Sequence, residues 1–131
     1  MKRLSAILAV LALLCLCSCN KDNITGKVSY SFGFCSLSTS DIAAMSKIQN
    51  AYTSRLMEID GLEVTGYSNT SFELANYTTA TARKIVAACN NAEDSLAGFK
   101  PEDGYLTVEL TALYWCNASE EIVYTHTFSA E

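Results

Sequence analysis

The chain has 131 residues, half of them hydrophobic, and a formal net charge of −5 from 9 Lys and Arg against 14 Asp and Glu. That length suits a single folded domain, and the apolar content is too high for a disordered chain. The basic residues are scattered and outnumbered, which excludes the basic stripe that a nucleic-acid backbone requires, and the cysteine spacings match no zinc motif.

Lys2 and Arg3 precede an apolar stretch from Leu4 to Leu16 that only Ser5 interrupts. This is the layout of a secretory signal, and it falls short of the roughly 20 residues a bilayer-spanning helix needs. The stretch ends in Leu16-Cys17-Ser18-Cys19. These residues resemble the lipobox of bacterial lipoproteins, with an aliphatic side chain three positions before the cysteine and a small one directly before it. The resemblance implies cleavage after Ser18 and a diacylglycerol thioether on Cys19. Cys15 and Cys17 each follow a leucine, which fits the peptidase poorly. Two or three acyl chains, at about 0.8 kcal/mol per buried CH₂, anchor a protein stably where one chain does not. Asn20-Lys21-Asp22-Asn23 is similar to a shortened form of the Lys-acidic signal that sends Bacteroidetes-type lipoproteins to the cell surface. It reads equally well as a plain polar tether, so the periplasmic and surface-exposed alternatives stay open. The organisation expected is a signal peptide at 1–18, a lipidated tether at 19–26 and one domain at 27–131, held in the bacterial envelope at the outer membrane.

The domain begins with alternation. From 27 to 35, Val28, Tyr30, Phe32 and Phe34 share one face and Ser29, Ser31 and Gly33 the other, which predicts a half-buried strand. Ser38-Thr39-Ser40-Asp41 then offers helix caps. A helix to about Ile59 is expected, with Met45, Ile48, Tyr52, Leu56 and Ile59 as its apolar stripe and Gly61 after its end. Leu62 to Tyr77 is too rich in Thr, Ser and Asn for a helix interior and reads as a hairpin. A three-residue loop of Ser68, Asn69 and Thr70 puts Leu62 and Val64 on the same face as Phe72 and Leu74. Thr78 or Thr79 caps a second helix to about Ala97, with Ala82, Ile85, Val86, Cys89, Ala92 and Leu96 as its stripe. After a turn at Pro101 and Gly104 come two more strands, Tyr105 to Cys116 and Ile122 to Phe128. An Asn117-Ala118-Ser119 loop would put Ile122, Tyr124, His126 and Phe128 on the face of Leu106, Val108, Leu110 and Ala112.

The order β-α-β-β-α-β-β predicts an α+β fold with two helices on one face of a five-stranded antiparallel sheet. It is ferredoxin-like with an added edge strand, in spatial order 5-4-1-3-2. That order puts Cys35 and Cys116 at opposite ends of the sheet, too far apart for a disulfide.

Chemistry is sparse. The one histidine, His126, has no Ser, Cys or Asp partner fixed by sequence, so neither a Ser-His-Asp nor a Cys-His site is announced. The acid pairs Glu93-Asp94, Glu102-Asp103 and Glu120-Glu121 sit at helix ends and turns, where solvated acids are common. No metal, cofactor or phosphate-loop motif is present, and the protein is expected not to be an enzyme. The informative surface is the sheet face without helices, a row of Ser and Thr with Leu113, Trp115 and Val123 as an apolar patch and Tyr105 as a further aromatic. The expectation is a lipid-anchored, non-enzymatic domain for contact with a protein partner or for homo-oligomerisation. The alternative is a glycan or peptide binding module around Trp115 and Tyr105.

Overall fold

The computed structural model describes residues 24–59, 61–62, 64–67 and 71–131, with 64–67 described by backbone alone. The signal segment, Cys19 and the Ser68-Asn69-Thr70 loop lie outside the described residues. The elements are β1 (Val28–Ser38), α1 (Ile42–Met57), β2 (Val64–Tyr67), β3 (Ser71–Leu74), α2 (Thr79–Ser95), β4 (Tyr105–Tyr114) and β5 (Ser119–Ser129). The fold is α+β: two helices pack together, and their apolar stripes share one core with an antiparallel sheet.

Four strands, β3-β1-β4-β5, make the body of that sheet, and the expectation of a five-stranded sheet is corrected accordingly. The short backbone strand β2 lies outside β3, where its register slips between Val64 and Gly66. Four residues with a glycine and a bulge give an irregular ladder rather than a full strand. The slip also sets Tyr67 opposite Phe72, one position away from the pairing a three-residue loop would give.

β1 buries Val28, Tyr30 and Phe32, as its alternation requires, and continues past residue 35 to Ser38. The continuation is made by a bulge: Phe34 pairs with Val108, but Ser36 pairs with Thr107, leaving Cys35 as the extra residue. Asp41 caps α1 by accepting from the Ala44 N–H at 3.0 Å, and Thr78 caps α2 by accepting from Thr81 N–H at 3.1 Å. Ile48, Tyr52 and Leu56 on α1 meet Ile85, Cys89 and Ala92 on α2 in the core. Both helices end about two residues before the expected bounds, within normal fraying.

The turn before β4 is clasped to the start of α1. Asp103 Oδ1 accepts from Thr39 Oγ1 at 2.8 Å and from Ser40 N–H at 3.2 Å, while Asp41 Oδ2 accepts from Glu102 N–H at 2.8 Å. These bonds hold the Asp103 carboxyl below its ordinary range. Gly104, at φ +66°, lies so near the chain at Ser38 that a Cβ would fall 1.5 Å from the Ser38 carbonyl oxygen. Ahead of β1, Ile24 is already part of the core, and Tyr77 N–H donates to Gly26 O at 2.8 Å.

The β4–β5 hairpin departs most from the sequence reading. Its loop runs from Trp115 to Ala118, with Tyr114 paired to Ser119 and Ala118 at φ 58°. The register then shifts: Thr111 pairs with Ile122 and Leu110 with Tyr124, so Val123 is the bulged residue. Simple alternation puts Val123 on the open face and Ile122 in the core. The bulge inverts this, leaving Ile122 57 % exposed and packing Val123 against the core.

Candidate functional site

Trp115 stands just beyond the last pair of β4, where the hairpin turns across the open face. Its backbone N–H donates to Lys27 O at 3.1 Å, and its indole Nε1–H donates to Ser29 Oγ at 2.8 Å. Lys27 Nζ lies 4.4 Å from the ring centroid and 3.4 Å from Glu73 Oε1. Ser29 Oγ in turn donates to Glu73 Oε2 at 3.5 Å. The ring is therefore held in one orientation while 52 % of the residue stays exposed. Cation–π contact at such an exposed site contributes about 0.5–1 kcal/mol.

Leu113 lies on the same face, opposite Ser29 on one side and Glu120 on the other. Ile122, beside Thr111, completes the apolar patch. Two expected members are absent from it. Val123 faces the core because of the bulge. Tyr105 sits at the other end of β4, roughly 30 Å from Trp115 at about 3.3 Å per residue, with its hydroxyl 3.4 Å from Ser36 Oγ.

The acid–base side chains are mutually satisfied. Tyr124 OH donates to Glu93 Oε1 at 2.7 Å, so the 2.6 Å contact between Tyr52 and Tyr124 must be donated by Tyr52. The other Glu93 oxygen lies 3.5 Å from His126 Nδ1. The partner of His126 is thus Glu93 on α2, a pairing that no spacing in the sequence announces. Burial pushes the Tyr52 phenol up to about 12 and raises that of Tyr124 further. Both hydroxyls remain neutral donors at ordinary pH.

Burial likewise pushes the Cys89 thiol up to about 12, which suits a packed side chain and not a nucleophile. Cys35 is a free, exposed thiol whose Sγ is 3.7 Å from Thr107 O. Cys116 is disulfide-bonded. Among the described residues no three His, Cys, Asp or Glu side chains gather as a metal site, and no helix is long and apolar enough to cross a membrane.

A groove of about 480 Å³ opens between α2 and the bulged end of the β4–β5 hairpin. Tyr30, Tyr77 and Tyr114 line it together with Arg83, Asn90 and Glu121. No spacing in the sequence links Tyr30 to the Glu120-Glu121 pair. The fold brings Tyr30 and Glu121 together because β1 and β5 flank the same stretch of β4. Compared with models of protein families, with curated proteins and with solved structures, the chain matches none of them.

Proposed function

We propose that this chain is a lipid-anchored envelope protein whose small, non-enzymatic domain makes protein–protein contact through its open sheet face. The ordered signal ending in Leu16-Cys17-Ser18-Cys19 supports the anchor, placed on Cys19 and in the outer membrane of a bacterial envelope. The observation that carries the contact is the patch of Leu113, Trp115 and Ile122, fixed in place on a face that neither helix covers. Apolar groups presented in a set orientation lose little entropy on docking. The sheet order supports a ferredoxin-like reading in which β5 is the added strand and β2 the far edge.

The face around the patch also carries Glu109 and Glu120. Two copies docked through this face would oppose those carboxylates, so a partner with an apolar centre and a basic rim fits better than a second copy. A photo-crosslinking residue at position 113 or 122 tests this in cells. The expected adduct is absent with the crosslinker at Ala43 on exposed α1, lost with Trp115→Ala, and weakened by added salt. Light scattering on the full-length protein in detergent should give one copy per particle. A dimer whose population rises with concentration and falls in Trp115→Ala would replace the heterologous partner with self-association. An adduct equally strong from position 43 would remove the open face as the contact.

A further inference from the structure

The groove beside α2 has a chemistry that the open-face contact does not use. Tyr30 is only 2 % exposed, its ring stacked on Phe72 at 5.2 Å between centroids, yet its hydroxyl makes no hydrogen bond among the described residues. No fully buried side-chain oxygen or nitrogen lacks a partner in this set. The Tyr30 hydroxyl must therefore reach the space that Tyr30 lines, which is the groove. A buried phenol with its donor turned into a cavity is an unfilled half of a hydrogen bond.

Its neighbour on the groove floor is an acceptor. Glu121 pairs with Ala112 from the opposite side to Tyr30 and lines the same groove, and its Oε1 accepts from Tyr114 OH at 2.6 Å. A donor and a carboxylate lining one groove discriminate between ligand groups. A ligand carboxylate could accept from Tyr30 but would face the charge of Glu121. An ammonium could pair with Glu121 but offers nothing to Tyr30. A hydroxyl does both, accepting from the phenol and donating to the carboxylate. Farther along, Asn90 supplies both an amide donor and an acceptor. Arg83, which has no ion-pair partner among the described residues, adds donors at the rim. Tyr77, edge-on to Tyr114 at 5.6 Å, gives the wall an aromatic surface for C–H groups.

The geometry points to a binding site for a neutral polyhydroxylated ligand, a sugar residue, with Tyr30 and Glu121 sharing one hydroxyl and Asn90 and Arg83 engaging others. The size of the groove is within the range of small-ligand sites. Ile122 borders both this groove and the open-face patch, but Tyr30, Glu121, Asn90 and Arg83 belong to the groove, and the sugar site does not depend on the open-face contact.

Saturation-transfer NMR on the full-length protein, held in a detergent without a sugar headgroup, tests the site. Glucose, galactose, mannose and N-acetylglucosamine are offered singly, with phenylalanine and benzoate as charged controls. Transfer to at least one sugar is expected. Tyr30→Phe should weaken that sugar's binding about tenfold, the loss of one hydrogen bond, and Asn90→Ala should weaken it similarly. Because the Tyr30 hydroxyl bonds nothing among the described residues, Tyr30→Phe should leave the denaturation midpoint unchanged, which separates lost binding from lost folding. Silence with all four sugars overturns the proposal. So does sugar binding indifferent to Tyr30→Phe, or stronger transfer to phenylalanine or benzoate than to any sugar.

Discussion

Tyr52, Tyr124 and Glu93 form a directed chain, and direction decides what each substitution costs. Tyr52 donates to Tyr124, which donates to Glu93. Tyr124→Phe leaves the fully buried Tyr52 phenol without an acceptor and takes a donor from Glu93, and should destabilise the domain by about 2–3 kcal/mol. Tyr52→Phe removes only the terminal donor and leaves the Tyr124–Glu93 bond in place, so about 1 kcal/mol is expected. Denaturant titration of the two variants checks the order, and equal losses would contradict the assigned direction. The same phenols set an alkaline limit. Tyr30, Tyr52, Tyr114 and Tyr124 all have pKa values raised above the ordinary 10.0, chiefly by burial. Above pH 10 the unfolded chain releases protons that the folded chain retains, so their stabilisation is complete below pH 10 and lost as pH rises beyond it. For Tyr52 that loss runs from 10 to about 12. The denaturation midpoint should fall continuously from pH 10 upward.

Periodicity made the elements legible, but it could not reveal where a strand carries an extra residue. The stripes of α1 and α2 and the buried faces of β1 and β4 follow directly from spacing, because the helices and β4 keep one period along their length and β1 keeps it as far as Phe34. β5 does not. Its bulge at Val123 changes parity partway, and no glycine marks the place. One misassigned residue therefore moved the apolar patch from Val123 to Ile122. The Trp115 anchor was half legible. A tryptophan on the uncovered face of an expected strand suggests a surface role, but its fastening by Ser29 and Lys27 depends on pairing β1 with β4. The groove was not legible at all, since its floor joins residues from β1, β4 and β5. The bulge gives a sharp contrast. Val123→Asp places a carboxylate against the core and should cost about 2–3 kcal/mol. Ile122→Asp meets solvent and should change stability by less than about 0.5 kcal/mol. Uninterrupted alternation would require the reverse order, so the two thermal midpoints decide the register.

At the scale of the whole molecule, address and architecture meet at sulfur. Lipidation converts the Cys19 thiol into a thioether, and a thioether sulfur cannot also form a disulfide. Cleavage after Ser18 would remove Cys15 and Cys17 with the signal peptide. Cys116 is disulfide-bonded, and Cys35 and Cys89 are free. As the proposed mature N-terminus, Cys19 can carry a lipid thioether or a disulfide but not both, and only the first agrees with a lipid anchor. Under the proposed function, the mature protein incorporates labelled fatty acid, Cys19→Ala abolishes the label, and peptide mapping without reductant recovers Cys19 with its acyl chains. Buried Cys89 should resist alkylation until the domain unfolds, because burial raises its pKa to about 12, whereas exposed Cys35 should react at once. That pair calibrates the mapping. Recovery of a Cys19–Cys116 peptide from the mature chain would exclude the anchor, and with it the placement of the open face at a membrane.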